Sequence, residues 1–333
     1  MGEQKLTIVA APTAFKETLS PVQAARIIAH ALHRHRVIEL PIADGGDGTL
    51  DCLRAALGGR IVRCRVTGPL GAPVRARLLL SGRTAVIEMA DASGLKLVPP
   101  RLRNPLRTTT RGTAELILAA RRAGARRILL GVGGSATVDA GRGALEVLDH
   151  ARDVTVLCDV KTRLRDAPRV FGPQKGATAA MMPELDARMR SLPRRVWRLP
   201  GSGAAGGLAG GLASIGATLR PGAPFILRLL GFRRRARHAD LIITGEGRLD
   251  ETSMRGKAVG ELLRIAPAPV AIICGRRTID PGVPVVLLGR GSMRRPARAL
   301  REAARKLLAS EDPGRRDRRR RRLVAQVAST PRR

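Results

Sequence analysis

Residues 128–141, Ile-Leu-Leu-Gly-Val-Gly-Gly-Ser-Ala-Thr-Val-Asp-Ala-Gly, constrain the fold more than any other stretch of the chain. The short apolar run that begins at Ile128 reads as a buried strand. It breaks into Gly131, Gly133, Gly134 and Ser135, Asp139 follows, and a helix is predicted to open after Gly141. A strand that ends in glycines and then starts a helix aims backbone N–H groups at a phosphate, because side chains would block the approach. The spacing fits neither G-x-G-x-x-G nor G-x-x-x-x-G-K-[ST]. Taken alone, the stretch is equally an anion site or a tight turn.

The same pattern recurs along the chain, and the recurrence points to a parallel α/β fold. A strand over 6–11 leads into Pro12-Thr-Ala-Phe-Lys16, and Ser20-Pro21 starts a helix with Pro in its first turn. A strand over 37–41 leads into Ile42-Ala-Asp-Gly-Gly-Asp-Gly-Thr49. Ligands in such folds gather at the carboxyl ends of strands, which is where Lys16, Asp44 and Asp47 fall. Asp44-Gly45-Gly46-Asp47 reads either as a turn and N-cap or as a loop for a polar ligand or metal.

Strands are predicted over 60–66, 74–80 and 84–89, and Glu88, Ala90 and Ser93-Gly94 close that run. A Thr-rich loop over 104–112 precedes a helix over 113–123, and a strand over 154–160 ends in Cys158-Asp159-Val160. Phe171-Gly-Pro-Gln-Lys-Gly-Ala177 is a loop before a helix near 183–189. The glycine-rich segment 201–212 reads as a loop feeding a closely packed helix, since Leu208, Leu212 and Ile215 recur at helical spacing. Another strand begins at Leu241 and carries an acidic glycine loop, Thr244-Gly-Glu-Gly-Arg-Leu-Asp250. A helix over 257–265, strands over 270–274 and 285–288, and a helix over 295–308 complete the folded part.

Composition narrows the class. A chain of 333 residues with 44% hydrophobic content suits two domains or one large one. Aromatics are 2% and Tyr is absent, so Val, Ile, Leu and Ala must fill the core. No apolar run approaches the ~18 to 20 residues of a membrane span, and the start of the chain lacks a signal peptide's long apolar region. A cytoplasmic protein without membrane contact is expected. The four cysteines are scattered without C-x-x-C, which argues against a zinc site or a disulfide framework.

The net charge of +34 is spread along the chain, although the tail from Pro313 onward holds nine Arg against one Asp. Such charge gives non-specific affinity for nucleic acid and attracts anionic substrates. A dedicated nucleic-acid reader is not expected, because stacking platforms need aromatic side chains. The tail, 311–333, is predicted to be disordered.

Five stretches together resemble the bacterial type I glycerate kinases. They are Ala11-Pro-Thr-Ala-Phe-Lys-Glu-Thr-Leu-Ser20, Ala43-Asp-Gly-Gly-Asp-Gly-Thr49, Gly133-Gly-Ser-Ala-Thr-Val-Asp139, Phe171-Gly-Pro-Gln-Lys-Gly-Ala177 and Thr244-Gly-Glu-Gly-Arg-Leu-Asp250. Their order and spacing agree from residue 6 to about 308. The resemblance implies an α/β protein of two domains: a discontinuous Rossmann-like domain over 1–66 and 238–310, and an inserted α/β domain over 67–237 with the glycine-rich phosphate loops. It also implies ATP-dependent phosphorylation of D-glycerate, usually at the 2-hydroxyl, with Mg2+; 3-phosphoglycerate is the other product to test.

The chain departs from the family pattern at Thr13-Ala14, at Val138 and at Thr162-Arg-Leu, and the segments before Val154, before Phe171 and over 188–200 are shortened. Those departures keep two further readings open: a catalytically weakened relative with a ligand-binding or regulatory role, and a basic protein associated with nucleic acid.

Phosphoryl transfer needs an in-line phosphate, neutralised charge and an oriented hydroxyl. Lys16 and Lys175 are the predicted cations, and Gly133, Gly134 and Ser135 the predicted backbone donors, with Gly45, Gly46, Gly245 and Gly247 in the other phosphate or substrate loops. Asp44, Asp139, Asp159 and Asp250 form the carboxylate pool, from which one accepts the hydroxyl proton and another holds Mg2+. Asp44 is the first choice for the base, with Lys16 and Asp139 grouped beside it as catalytic. Asp250 is the first choice for the metal, with Asp159 beside it. Arg248 and Ser253 are placed against the substrate carboxylate.

Overall fold

A computed structural model of the chain describes residues 5–15, 18–289 and 291–309. Lys16 and the basic tail lie outside these. Among the described residues the strands are, in chain order, β1 (Thr7–Ala10), β2 (Arg36–Glu39), β3 (Arg60–Thr67), β4 (Pro73–Ser81), β5 (Thr84–Glu88), β6 (Arg127–Gly131), β7 (Val154–Cys158), β8 (Thr218–Pro221), β9 (Leu241–Leu249), β10 (Val270–Arg277) and β11 (Val285–Leu287). The chain is α/β, and its described residues form two compact units, one gathering those up to Ile42 with those from Leu227, the other spanning Ala43–Ile226. Val66, where the sequence reading places a domain boundary, lies inside β3, and β3 pairs along its length with β4 of the second unit. That pairing draws residues 43–66 into the second unit.

The first unit holds a five-stranded sheet in the order β11-β10-β9-β1-β2, parallel throughout. Ile8, Val9 and Ala10 are fully buried, as expected of a central parallel strand covered on both faces. The helix Pro21–Ala31 begins where Ser20 predicts it. Ser20 Oγ accepts from Gln23 N at 3.2 Å and Gln23 Oε1 accepts from Ser20 N at 2.9 Å, a reciprocal cap worth about 1 kcal/mol. Its Ala24 and Ile28 pack with Leu300 and Ala304 of the helix Pro296–Ala309. Burying a side chain such as Ile28 contributes roughly 1.5–3 kcal/mol.

One prediction fails here. Residues 244–249, expected as an acidic glycine loop, continue β9 as paired strand, with Gly245 opposite Ile273 and Arg248 opposite Arg276. Glycine is needed at 245 for space, since a Cβ there would lie 2.2 Å from Ile273 O.

The second unit holds a six-stranded sheet in the order β3-β4-β5-β6-β7-β8. The β3–β4 and β4–β5 pairs are antiparallel, and β5, β6, β7 and β8 run parallel. Ala76, Leu78, Ile87, Leu130 and Val156 of the sheet build its core with Leu116 and Ile117 of the helix Arg111–Arg122. The glycine-rich segment behaves as predicted: a tight turn over Ala204–Gly207 feeds the buried helix Leu208–Ser214. The strand β8 and the helix Gly222–Leu229 were not read from sequence. Among the described residues no helix is long and apolar enough to cross a membrane.

Candidate active site

Parallel pairing in the second unit puts the carboxyl ends of three strands side by side, with Glu88 opposite Gly131 and Gly131 opposite Leu157. The acidic loop 43–48 lies across these ends. Gly133 N donates to Gly45 O at 3.1 Å. A Cβ on Gly45 would lie 2.3 Å from Leu157 O, and one on Gly131 would lie 2.7 Å from Gly45 O. The glycines are therefore spacing residues that let backbone meet backbone at the strand ends. Gly133 is fastened to the neighbouring loop, not aimed at a phosphate as its sequence context suggests. Gly134, at φ 74, is the exposed member of the turn.

Two carboxylates border this junction. Asp44 Oδ1 accepts from Gly46 N at 3.2 Å, closing a local turn. Asp159 follows β7, and its Oδ2 lies 3.4 Å from the position of a Cβ on Gly133. Asp47 pairs with Lys96 at 2.5 Å. The structure thus gathers Asp44, Gly45, Gly46, Gly133 and Asp159 around one set of strand ends.

Asp139 and Lys175 are held differently. Asp139 Oδ2 accepts from Thr110 N, Thr110 Oγ1 and Gly143 N, and its Oδ1 accepts from Gly141 N, at 2.7–3.3 Å. The carboxylate is 4% exposed and joins the Thr-rich loop to the glycine turn. Burial raises its pKa while these hydrogen bonds lower it. Its oxygens are already taken by the fold, so the expected catalytic role gives way to a structural one. The next residue, Ala140, sits at φ 57, a strained conformation for a residue with a Cβ, and its N–H donates to Gly206 O at 3.1 Å.

Lys175, 2% exposed, donates to Ser135 Oγ at 2.6 Å and to Thr137 O at 2.8 Å, with the Phe171 ring 5.7 Å away. Burial pushes its pKa down to about 7, against the opposing pull of Asp139 and Asp159. The lysine predicted to touch phosphate is buried and bonded to the glycine turn through Ser135 and Thr137.

Glu88 has no role in the sequence reading. It ends β5 at 7% exposure, and its Oε1 accepts from Leu50 N at 2.7 Å. Burial pushes its pKa up to about 7, the Leu50 amide opposes the shift, and Asp91, Asp47 and Asp51 add to it. An acidic residue closing an otherwise apolar strand, Thr-Ala-Val-Ile-Glu, is the signal that marks it.

In the first unit Asp250 caps the short helix Glu251–Met254. Its Oδ1 accepts from Thr252 N at 2.9 Å and from Thr252 Oγ1 at 2.6 Å, and its Oδ2 pairs with Arg248 Nε at 3.2 Å. The Thr252 hydroxyl holds its carboxyl below the usual range. Both oxygens have partners within the fold, so the structure gives Asp250 a capping role where the sequence predicts a metal ligand. Ser253 is buried and completes the same cap through Asp250 N, while Arg248 is exposed. Gly245 and Gly247 lie within β9. Among the described residues no three His, Cys, Asp or Glu side chains are grouped to hold a metal ion.

The profile of the glycerate kinase family matches residues 8–152 and 147–285. A glycerate kinase of Bacillus subtilis (strain 168) is 39% identical over 362 aligned positions, covering 93% of this chain and 91% of that one. A glycerate 2-kinase of Escherichia coli (strain K12) is 38% identical over 332 positions, covering 84% and 87%. A crystal structure provisionally assigned as glycerate kinase 2 from Salmonella typhimurium LT2 superposes with a TM-score of 0.76 at 35% identity, covering 94% of this chain and all of that one. The match in sequence and in fold runs through both units, and the chain belongs to the glycerate kinase family, a family of phosphotransferases with an alcohol group as acceptor.

Proposed function

We propose that the protein transfers the γ-phosphoryl group of ATP to the 2-hydroxyl of D-glycerate, giving 2-phosphoglycerate and ADP. The observation that carries the reading is the meeting of the Asp44 loop with the glycine turn at the carboxyl ends of β5, β6 and β7. Gly134, the exposed member of the turn, leaves the strand ends approachable by phosphate, and a carboxylate beside them receives a proton. Asp44 is the base. The 2-hydroxyl oxygen attacks the γ-phosphorus, its proton goes to Asp44, and the bond from that phosphorus to ADP breaks. Ser135, accepting from Lys175, turns its own hydroxyl proton outward as a donor to phosphate or carboxylate oxygen. In the first unit Arg248 is the side chain proposed for an anion.

Mg2+, when bound with the nucleotide, supplies positive charge beside the transferred group. Asp159 fits as its protein ligand, since Mg2+ typically takes only one or two carboxylates and fills the rest with phosphate oxygens and water. Asp250 is read as a helix cap instead.

The segment shortened before Val154 enters β7 at its amino end, five residues and roughly 16 Å of extended chain from Asp159. That loss therefore lies away from the proposed chemistry. The test is ADP release with ATP, Mg2+ and D-glycerate, each omitted in turn, with Asp44→Asn alongside. Release that needs all three, and falls at least about tenfold in the variant, supports the assignment. Release independent of glycerate overturns it.

A further inference from the structure

The helix Thr49–Leu57 follows directly from the acidic loop and begins without a side-chain cap of its own. Its N-cap is Gly48, at φ 87. The first amides of a helix have no partner within it, and an unmet one weakens the start of the helix. Leu50 N finds its acceptor in Glu88 Oε1, from a strand 38 positions further along the chain. A carboxylate here also meets the positive end of the helix dipole.

From that point the hydrogen bonds run on into the loop. Thr49 Oγ1 donates to Gly46 O at 2.7 Å, Thr49 N donates to the same oxygen at 3.3 Å, and Gly46 N donates to Asp44 Oδ1 at 3.2 Å. A continuous path therefore links the end of β5 to the carboxylate proposed as the base.

Glu88 is an unfavourable choice if packing is all that matters. It is buried, and Asp47, Asp51 and Asp91 face it with the same charge, while Arg77 pairs with Asp51 and Asp91. Charged groups kept in such surroundings cluster at functional sites.

We propose that Glu88 is a positioning residue for phosphoryl transfer: it supplies the missing cap of the helix Thr49–Leu57 and thereby fixes the loop that carries Asp44. The proposal rests on the reading of Asp44 as the base. A misplacement of about 1 Å in such a group costs on the order of a hundredfold in rate, so the effect belongs in kcat.

The experiment compares Glu88→Ala, which removes the acceptor, with Glu88→Gln, which keeps it. Two readouts are taken: steady-state kinetics, and hydrogen exchange at the Leu50 amide. The folded alanine variant should lose at least about fiftyfold in kcat with KM changed less than about threefold, while the glutamine variant stays within about fivefold of the parent. The Leu50 amide should exchange fast in the alanine variant and slowly in the other two proteins. Equal loss in both variants, a folded alanine variant with parental kcat, or an unchanged Leu50 amide in that variant would each overturn the proposal. If Glu88→Ala does not fold, Glu88→Gln decides it, since a folded glutamine variant that is slowed more than tenfold or leaves Leu50 unprotected contradicts the capping role. Should the parent show no glycerate-dependent turnover, the functional reading fails while the Leu50 exchange still tests the link from Glu88 to the loop.

Discussion

Lys175 Nζ donates to Ser135 Oγ at 2.6 Å from a position that is 2% exposed. The ammonium group therefore acts on the glycine turn through a serine that is itself buried, at 8% exposure. Removing the ammonium leaves Ser135 and the Thr137 carbonyl without their buried donor, whereas removing the hydroxyl deletes one contact. Lys175→Met is predicted to lower kcat/KM by about a hundredfold or more, the scale of losing a preorganised electrostatic group, and Ser135→Ala by about tenfold. Steady-state kinetics on the two proteins check this, and a larger loss for Ser135→Ala would reverse the assigned order.

That relationship also shows how far the sequence carries. The alternation of apolar runs with glycine loops was enough to read β1, β6 and β7 and the parallel class, because burial on both faces of a strand writes itself as consecutive Ile, Val and Leu. Ser20 and Gln23 mark a helix start for the same local reason. Partners far apart in the chain leave no such mark. Asp139 looks catalytic from its motif, and only the fold reveals Thr110, 29 positions away, as its partner. Glu88 looks incidental until Leu50 is seen against it. Asp250 looks like a ligand, although its cap through Thr252 and Ser253 was within reach of a local reading.

The pH dependence of stability follows from Glu88. Its pKa rises from 4.5 to about 7 on folding, chiefly through burial. Between those values the folded protein holds a proton that the unfolded chain has released, so stability falls as pH rises to 7 and then levels off. Glu88→Gln removes this penalty, which is about 3 kcal/mol at most. The variant should therefore gain in Tm over the parent on going from pH 5 to pH 8. Thermal melts at the two values decide it, because every other titrating group is shared and a constant difference would contradict the assignment.

Gly45 tests the packing of the acidic loop on the strand ends. It sits at φ 100, and a Cβ there would lie 2.3 Å from Leu157 O. Gly45→Ala combines backbone strain with a clash against main chain and should destabilise the protein by about 3 kcal/mol. Gly124, at φ 91 with open space around it, serves as the comparison, and Gly124→Ala should cost about 1 kcal/mol. Urea unfolding of the two variants measures the difference, and equal losses would remove the clash from the account.

Asp250 separates a cap from a metal ligand. Asn is also a good N-cap, so Asp250→Asn should shift stability by less than about 1 kcal/mol. The Mg2+ concentration needed for half-maximal turnover should stay where it is in the parent. A rise of tenfold or more in that concentration would return Asp250 to the metal site.

The central claim is the transfer of phosphate to the 2-hydroxyl of D-glycerate, and NMR of the product formed from ATP, Mg2+ and D-glycerate tests it most directly. The account predicts a phosphorus signal coupled to the single proton on C2, the mark of 2-phosphoglycerate. Coupling to the two protons on C3 would assign 3-phosphoglycerate and contradict the proposed acceptor, and an unchanged glycerate spectrum with folded protein would contradict the activity itself.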